Sequence, residues 1–337
     1  MAIPIIPVNS TDAVAIDEAF EVVAASVADL PDFAPPCRRR FLGSFAHPMP
    51  GYDFEMYLAR LDGRPAGCLR LGLPTLDNTE NVSVDLDVHP DLRRRGVGRA
   101  LHEHLLTRTR EIGRKRISSM GLGAVTGSTE ESPATPFATG LGASSALLDV
   151  RRRIDLTTLD EPELDRLLTA AYARADGYQL VRWSGRTPDE YVDHIAYLEG
   201  RLISDAPMGD LAWEPEQVDA ARIRGMEAAH EARGRRSYHS AMRDDATGRI
   251  VAWTMIDLSG DIPWHAFQQI TIVDPDHRGH RLGTVVKVEN LRYAMAHEPE
   301  LRVIDTWNAA SNDYMIAINE ALGFRVMDTW HNWQLTL

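Results

Sequence analysis

Short segments in which hydrophobic and polar residues alternate predict most of the β-strands of this chain. The clearest is NVSVDLDV at 81–88, where every second residue is a valine or leucine suited to a buried face. Other segments share this period of two, or form short apolar runs bounded by turn residues. They are residues 3–8, 54–60, 66–71, 146–154, 178–185, 238–243, 250–258, 266–273, 302–306 and 324–335.

Apolar residues at helical spacing predict helices between these strands. Ser10 or Thr11 would cap the first helix, and a later helix would carry Leu101, Leu105 and Leu106 on one face. The other predicted helices cover residues 155–177, 188–202, 216–233, 285–297 and 313–322, and a stretch rich in Gly, Thr and Ser follows the Leu101 helix at 121–145. This order predicts an α+β fold of three layers, in which helices flank a mixed central sheet.

The order of elements occurs twice, with a constant offset. VHPDLRRRGVG (88–98) and VDPDHRGHRLG (273–283) each lead from a strand, through a proline and arginines, into a helix. Pro90 and Pro275 lie 185 positions apart (275 − 90), and the hairpin turns at Gly63 and Gly248 repeat the same offset (248 − 63). Several features in one register indicate an internal duplication.

The duplication divides the chain into two predicted domains, each long enough to bury its own core. They are an N-terminal domain at 1–155, a connector helix at 156–177 and a C-terminal domain at 178–337.

The net charge of −13, from 36 basic and 49 acidic residues, argues against a nucleic-acid or anionic-membrane surface and suits a small cationic substrate. Cys37 and Cys68 stand far apart in no metal-ligand spacing, so we expect two buried thiols in a reducing compartment and no metal. The first residues lack a basic signal segment, and no apolar run is long enough for a bilayer. We expect a cytoplasmic monomer or homodimer.

The repeated loop has the chemistry of an anion site. A glycine-rich turn that opens a helix directs backbone N–H groups and the positive end of the helix dipole at one point, where diphosphate is a common guest. The first copy adds cationic side chains to this turn, namely Arg93, Arg94, Arg95 and Arg99. The alternative is a solvated arginine-rich turn without a ligand.

A hairpin, a strand, R-x-x-G-x-G and a helix in this order resemble the GNAT (GCN5-related N-acetyltransferase) family of acyl-CoA-dependent enzymes. The two copies resemble tandem GNAT proteins, such as the mycothiol-synthase-like enzymes of actinobacteria. Residues 93–98 (RRRGVG) match the family pattern Q/R-x-x-G-x-G/A at every fixed position. Residues 278–283 (RGHRLG) match at their ends only, because Arg281 stands where the middle glycine is expected. The Arg281 side chain would point away from the diphosphate or contact it, with Gly279 supplying the permissive backbone.

This resemblance implies acetyl-CoA, or another short acyl-CoA, as the cofactor. Its predicted binding residues are Val88, Arg93, Arg94, Arg95, Gly96, Val97, Gly98 and Arg99 in the first domain, and Ile272, Val273, Arg278, Gly279, His280, Arg281, Leu282, Gly283 and Thr284 in the second.

A second family motif, N-x₆-Y-x₃-G-F, is expected near the end of each domain, where its Asn helps to hold CoA and its Tyr protonates the departing thiolate. The second domain has Asn312 and Gly323-Phe324 but Asn319 at the Tyr position. The first domain departs further, with Glu131 and Ala138 in these two positions. The resemblance therefore implies a catalytic C-terminal domain that uses Asn308 and Asn312 for CoA, beside a degenerate N-terminal domain.

The usual base of the family is missing, because Phe267 and Gln269, like Val82 and Val84 in the first domain, cannot accept a proton from the amine. Two residues earlier on the same strand face stands His265. We hypothesise that His265 accepts the proton directly or through water; the alternative is a surface histidine at a strand end. Tyr314 and Asp257 are reserve candidates, and Asn319, Tyr314 or water would protonate the thiolate.

The acidic segment at 203–219 (ISDAPMGDLAWEPEQVD) lies where the family builds its acceptor-site wall. Its carboxylates and its aromatic residue would attract a cationic amine, although a solvated acidic loop has the same composition. The predicted substrate-binding residues are Asp205, Asp210, Trp213, Asp257 and Gln269.

The leading prediction is an acetyl-CoA-dependent N-acetyltransferase, in which a primary amine of a small, cationic molecule attacks the thioester directly in a ternary complex. One alternative is a non-catalytic acyl-CoA sensor or scaffold, and another is catalysis by the N-terminal domain. Phe267 and Asn319 differ from the acid and the tyrosine of mycothiol synthases, so we expect a different amine.

Overall fold

The computed structural model describes residues 3–30, 32–128 and 131–337, and these residues form two compact units. Unit 1 contains the described residues up to Leu148, together with residues 209–213 and Trp330–Leu337. Unit 2 contains Asp149–Met208 and Glu214–Thr329. Each unit repeats one α+β arrangement, which confirms the predicted fold class.

The units depart from the predicted domain boundaries. Residues 149–155 belong to unit 2, although they were expected in the N-terminal domain, and residues 209–213 and 330–337 belong to unit 1. Sequence periodicity assigns each strand to the half of the chain that contains it, so it gives no sign of segments that join the other unit.

Unit 1 is a mixed sheet with helices on both faces. Its elements are β1 (Ile5–Pro7), α1 (Ala13–Ala28), α2 (Arg38–Ala46), β2 (Tyr52–Leu61), β3 (Arg64–Pro74), β4 (Asn81–Val88), α3 (Val97–Glu111), β5 (Arg116–Val125), α4 (Ala134–Gly140) and the first part of β6 (Ser144–Asp155). The strand order is β1-β2-β3-β4-β5, then residues 330–336, then the start of β6. Alternate residues of one strand serve opposite faces, since Met56 and Leu58 pack with α1 and α2, whereas Tyr57 and Ala59 pack with α3.

Unit 2 repeats this plan. Its elements are the end of β6, α5 (Glu161–Tyr172), β7 (Tyr178–Ser184), α6 (Val192–Gly200), α7 (Leu202–Asp205), α8 (Ala220–Ala232), β8 (Arg235–Asp244), β9 (Ile250–Ser259), β10 (His265–Val273), α9 (Leu282–His297), β11 (Val303–Ala309), α10 (Asp313–Ala321) and the first part of β12 (Arg325–Thr336). The strand order is β7-β8-β9-β10-β11, followed by residues 149–155 of β6 and 325–329 of β12. Helices α6 and α8 cover one face, and α9 and α10 cover the other.

Besides the four-residue helix α7, three elements were not predicted. Helix α2 begins with three arginines, α4 contains a proline, and β5 (RISSMGLGAV) lacks clean alternation, so each has a weak local signal. Residues 129 and 130 of the predicted Gly-, Thr- and Ser-rich stretch lie outside the described residues. The first helix is capped by Asp12, whose carboxylate accepts the Ala15 N–H at 3.0 Å, and not by Ser10 or Thr11.

Cys37 and Cys68 are both buried, as predicted, and burial raises the pKa of the Cys68 thiol to about 12. Within the described ranges, no helix combines the length and the apolar character that a bilayer crossing requires.

Candidate functional site

In each unit, two neighbouring parallel strands pair over only part of their length and then separate. Pairing of β10 with β11 covers His265–Phe267 and Val303–Asp305 among the described residues, although both strands continue beyond this point. In unit 1 the pairing of β4 with β5 ends in the same way at Val84. A parallel pair that separates leaves backbone N–H and C=O groups that an extended polar ligand can satisfy.

A bulge in β10 accompanies the separation in unit 2. Gln269 and Ile270 stand opposite the single residue Met255 of β9. A bulge bends its strand and changes which side chains face each side of the sheet. Thr306, the first β11 residue past the pairing, donates its hydroxyl to the backbone oxygen of Gln268 at 3.2 Å.

The turns that follow these strands share one backbone conformation. We call residues 89–96 loop 1 and residues 274–281 loop 2. Loop 1 is left-handed at Arg94 (φ 61°) and Gly96 (φ 90°), and loop 2 is left-handed at Gly279 (φ 87°) and Arg281 (φ 59°). Gly279 is left-handed, as expected of a permissive position, but it does not relieve Arg281, which also adopts the left-handed conformation.

The helices after both loops begin without a side-chain cap. Gly96 and Arg281 are the N-cap residues of α3 and α9, and neither provides a capping side chain. By contrast, Asp12, Asp160 and Asp219 cap α1, α5 and α8 through their carboxylates. Uncapped first-turn N–H groups together with the helix dipole favour an anion.

The two loops, taken together with the first turns of the helices that follow them, differ in how many cationic side chains they leave without a carboxylate. In loop 1, Arg93 pairs with Asp29 and Arg95 pairs with Asp62. Among the described residues, Arg94 in loop 1 and Arg99 in the first turn of α3 have no ion pair, and both are exposed. Within loop 1 and the first turn of α3, these two arginines are therefore the cations available to a ligand.

In loop 2, Arg278 donates to Asp205 at 3.1 Å, and His280 Nδ1 lies 3.2 Å from the backbone oxygen of Arg174. Arg281 is exposed and has no ion pair within the described part of the chain. Thr284 is buried where unit 1 has Arg99. Of the other residues predicted to bind the cofactor, Val97, Ile272 and Leu282 are buried in hydrophobic cores, so only their backbone could contact a diphosphate.

Helix α10 carries an amide pair beside the separated strands. Asn319 is fully buried and donates through Nδ2 to Asn308 Oδ1 at 2.5 Å, while its own Oδ1 has no hydrogen-bond partner among the described residues. Asn312 caps α10 by accepting the Met315 N–H at 3.2 Å. Tyr314 is 59% exposed on the same helix. The corresponding Glu131 in unit 1 forms a backbone bridge with Ala124 and caps no helix.

His265 lies in a buried ion cluster. It is 2% exposed, and its Nε2 lies 3.0 Å from Asp305 Oδ2. Asp305 also accepts from Arg151 at 3.2 Å and from Arg153 at 2.6 Å. Burial alone would raise the pKa of Asp305, but hydrogen bonds from Arg153 and His265 and their charges outweigh it and lower that pKa to about 2. The alternative of a surface histidine is wrong, and no direct route from His265 Nε2 to a bound amine is evident.

The predicted residues Asp257 and Gln269 lie together. Gln269 Nε2 donates to Asp257 Oδ1 at 2.5 Å, and Arg235 pairs with the other oxygen of this buried carboxylate. Arg235 Nη1 in turn lies 2.8 Å from His230 Nε2 at the end of α8. Arg235 and His230 were not predicted, since neither belongs to a motif.

The acidic segment does not form one wall in unit 2. Asp205 belongs to unit 2, and its carboxylate forms ion pairs with Arg201 and Arg278. Asp210 and Trp213 belong to unit 1, where the Asp210 N–H donates to the Ala146 oxygen at 2.8 Å. Gly209 is left-handed, and an added Cβ would lie 2.3 Å from that oxygen, so the approach requires glycine. The segment is therefore divided between the two units, and the substrate-binding roles of Asp210 and Trp213 stay a prediction.

Each unit thus combines an uncapped helix after a left-handed loop with a separated pair of parallel strands. Comparisons with known proteins identify the family. A family model described as the acetyltransferase (GNAT) family matches residues 27–127. A tandem GNAT protein from the clavulanic acid biosynthesis pathway is 32% identical, with 99% of this chain and 98% of that chain covered and a TM-score of 0.84. The chain belongs to the GNAT acetyltransferase family. It is a two-domain GNAT enzyme.

More distant structures share the GNAT fold. A GCN5-related N-acetyltransferase from Sphaerobacter thermophilus is 14% identical, with a TM-score of 0.62 over 99% of this chain and 96% of that chain. A glucosamine N-acetyltransferase region of a fungal multi-domain β-N-acetylglucosaminidase is 13% identical, with a TM-score of 0.71 over 99% of this chain and 38% of that chain. At these identities the likeness concerns the fold alone. No curated protein sequence matched the chain.

Proposed function

We propose that this GNAT protein transfers an acetyl group from acetyl-CoA to a primary amine of a small, cationic molecule, with the transfer in unit 2. The observation that carries the proposal is the combination of the β10–β11 separation with the uncapped start of α9. The diphosphate of CoA would meet the N–H groups at Leu282 and Gly283, and the pantetheine arm would lie along β10. Asn308 and Asn312 complete the proposed CoA contacts.

The proposed acceptor side of unit 2 is the face that carries Asp257 and Gln269. Asp257 supplies a carboxylate and Gln269 an exposed amide, and the two are already hydrogen-bonded. Phe267 and Trp307, with ring centroids 5.9 Å apart, add aromatic surface to this face. Aromatic rings suit an alkylammonium group, and Asp257, which is buried and already paired with Arg235, would act by holding the exposed Gln269 amide in place.

The proposed reaction is direct attack. The neutral amine nitrogen forms a bond to the thioester carbonyl carbon, the C–S bond breaks, and the thiolate leaves as CoA. The amine proton passes to water or, through water, to His265. Holding the amine and the thioester in line supplies most of the acceleration in such a reaction, so a strong acid at position 319 is not required.

Two observations favour the alternatives. Apart from the buried His265, the face of β10 that carries Phe267 and Gln269 has no titratable group among the described residues, as expected for a non-catalytic acyl-CoA sensor. The family model matches residues 27–127, and loop 1 with the first turn of α3 leaves two arginines without ion pairs, as expected if unit 1 is the principal CoA site.

Calorimetric titration of acetyl-CoA into the protein and its loop variants tests the assignment. Gly283→Trp would place a bulky side chain at the start of α9, next to Ile318 and Val273. Gly98→Trp would do the same at the start of α3 in unit 1, next to Phe137 and Val88. Arg281→Glu and Arg99→Glu, both at exposed positions, repeat the test without bulk. We expect the unit 2 variants to abolish CoA release with a panel of amines.

Turnover that survives the unit 2 variants but is lost in the unit 1 variants would overturn the assignment to unit 2. Binding without CoA release for every amine would favour the sensor. Full turnover in His265→Gln across the pH range would contradict the proton route through His265.

A further inference from the structure

Three consecutive arginines of β6 face alternate sides of the sheet in unit 2. Arg151 and Arg153 stand opposite Trp307 and Asp305 of β11, and both donate to Asp305. Arg152 stands opposite Thr306 and therefore faces the other side, the side covered by α9 and α10. Two of the three arginines thus share buried carboxylates, and the third is directed away from them.

Arg152 is buried without adequate partners. It is 4% exposed, and its Nε and Nη1 have no hydrogen-bond partner among the described residues. Its closest carboxylate is Glu320 of α10, at 3.7 Å from Nη2, and this glutamate is largely exposed. Such a distant, solvated partner contributes little, whereas each buried N–H without an acceptor destabilises the folded protein.

A second buried cation lies in the same layer. Lys287 of α9 is 1% exposed, and its ammonium lies 5.4 Å from the centroid of the Phe324 ring. No carboxylate lies within ion-pair distance of Lys287 in the described ranges. Burial lowers the pKa of Lys287 to about 7. Arg152 and Lys287 therefore reach the same end of α10, at Glu320 and Phe324.

The surrounding groups are polar but uncharged. Thr306 and Asn308 alternate along β11 on this face, and diagonal neighbours across two strands lie roughly 7–8 Å apart, which brings Asn308 close to Arg152. Asn319, bonded to Asn308, offers its unpartnered Oδ1. Around Arg152 and Lys287, cationic donors are in excess, and among the described residues only the exposed Glu320 lies within ion-pair distance of either.

The position of this layer along β10 indicates which part of a ligand would reach it. Loop 2 follows Val273, whereas the strands separate after Phe267, about 20 Å away at 3.3 Å per residue. A CoA whose diphosphate lies at loop 2 would extend its other end toward Thr306, the residue opposite Arg152.

We propose that Arg152 and Lys287 form an anion site that binds a single negative charge at the thioester end of CoA. The charge is either the free carboxylate of a dicarboxylic acyl group or the thiolate of the CoA product. This inference rests on the proposed CoA site in unit 2 and specifies its charge preference. The anion pairs with the two unpartnered donors of Arg152, and Lys287 takes up a proton as it binds.

The test measures binding of butyryl-CoA, succinyl-CoA and free CoA by calorimetry near pH 8, in two buffers with different ionisation enthalpies. If the site binds an acyl carboxylate, succinyl-CoA should bind at least about tenfold more tightly than its neutral counterpart, with net proton uptake. If it binds the thiolate, ultraviolet absorbance should show the thiol of bound CoA ionising at least one pH unit below that of free CoA.

Arg152→Gln and Lys287→Met should each remove the preference, and Lys287→Met should also remove the proton uptake. Arg166→Gln, which breaks an exposed pair with Glu163 on α5, is the matched control and should retain both effects. Equal binding of butyryl-CoA and succinyl-CoA, with a bound thiol that ionises like free CoA, would overturn the anion site while leaving the proposed function intact. Failure of every CoA ligand to bind unit 2 would overturn both.

Discussion

Loop 1 and loop 2 have one backbone path and opposite residue choices. Both are left-handed at their sixth and eighth residues, but loop 1 has arginine then glycine there, and loop 2 has glycine then arginine. Glycine adopts this conformation freely, whereas other residues do so at a cost of about 1–2 kcal/mol. Each copy therefore accepts strain at one of the two positions, which shows that the turn geometry is retained while the residues change.

Some side chains that lie 185 residues apart in the two copies differ more in their surroundings than the two loops do. Glu80 in unit 1 is exposed and pairs with Lys115 and Arg116, whereas its counterpart His265 is buried against Asp305. His102 in unit 1 corresponds to Lys287 in unit 2, and both lie buried on the helix after the loop. The first of these pairs thus has a solvated charge in one unit and a buried network in the other, whereas the second pair is buried in both units and differs in the residue.

The largest expected effect comes from the buried cluster of unit 2. Asp305→Ala leaves Arg151, Arg153 and His265 with too little negative charge in a buried site, and removal of one partner from a buried pair costs about 3–5 kcal/mol. Denaturant unfolding followed by tryptophan fluorescence measures the loss. Glu80→Gln, the matched change in unit 1, should cost under about 1 kcal/mol because its partners are exposed. Equal losses would contradict the contrast between the units.

The next largest effect is the pH dependence of stability, which should differ between variants of Lys287 and of His102. The unfolded chain keeps a proton on lysine up to about pH 10, whereas folded Lys287 loses it near 7, so between these values the unfolded state binds more protons and stability rises with pH. Lys287→Met should stabilise most at pH 7 and below. Its advantage should shrink by up to about 1.4 kcal/mol per pH unit above 7.

Burial lowers the pKa of His102, so the corresponding window for His102→Met lies below the ordinary histidine value of about 6.5. Unfolding curves from pH 5 to 10 should show the two variants responding in different pH windows. A Lys287→Met advantage independent of pH would mean that the ammonium finds a partner in solution.

The periodic elements could be predicted from the sequence because their signal is local. Residues 81–88 were expected as a strand and form β4 at the same bounds, and the 185-residue offset indicated a repeated fold. Exchange of segments between units has no local signal: Asp210 and Trp213 precede α8 in the chain, yet they belong to unit 1 because Gly209 permits a close backbone approach to Ala146.

The candidate site was predicted only where motif spacing fixes the backbone. Loop 1 and loop 2 were expected to open helices and do so. The hypothesis that His265 accepts a proton from the amine required an accessible side chain. Alternation along a strand predicts which face of the sheet a residue occupies, but not which residues lie next to it. Its partner Asp305 is 40 residues away in the sequence. Arg152 was missed for the same reason, since nothing in RRR at 151–153 distinguishes the middle arginine.

Exchanging the left-handed residues sharpens the loop comparison. Gly96→Arg places a side chain at φ 90° and should destabilise by about 1–2 kcal/mol. Arg281→Gly removes strain but adds the chain entropy of glycine, about 0.5–1 kcal/mol, so its net effect on unfolding should be smaller. Thermal unfolding of both variants measures this asymmetry. A stability loss in Arg281→Gly as large as that in Gly96→Arg would show that the arginine side chain, not the backbone, holds loop 2.

The smallest expected effect is on CoA binding, and it should differ between two arginines of unit 1. Arg99 has no ion pair among the described residues, whereas Arg95 is paired with Asp62. If the start of α3 binds a diphosphate, Arg99→Gln should weaken CoA binding by about fivefold, or about 1 kcal/mol, while Arg95→Gln should change it less than twofold. The Arg99 effect should fall as salt is raised, because it acts between exposed charges. Titrations of CoA at two ionic strengths measure both variants. Unchanged CoA binding in both variants at both ionic strengths would mean that neither arginine contacts the diphosphate and that the loop acts through its backbone alone.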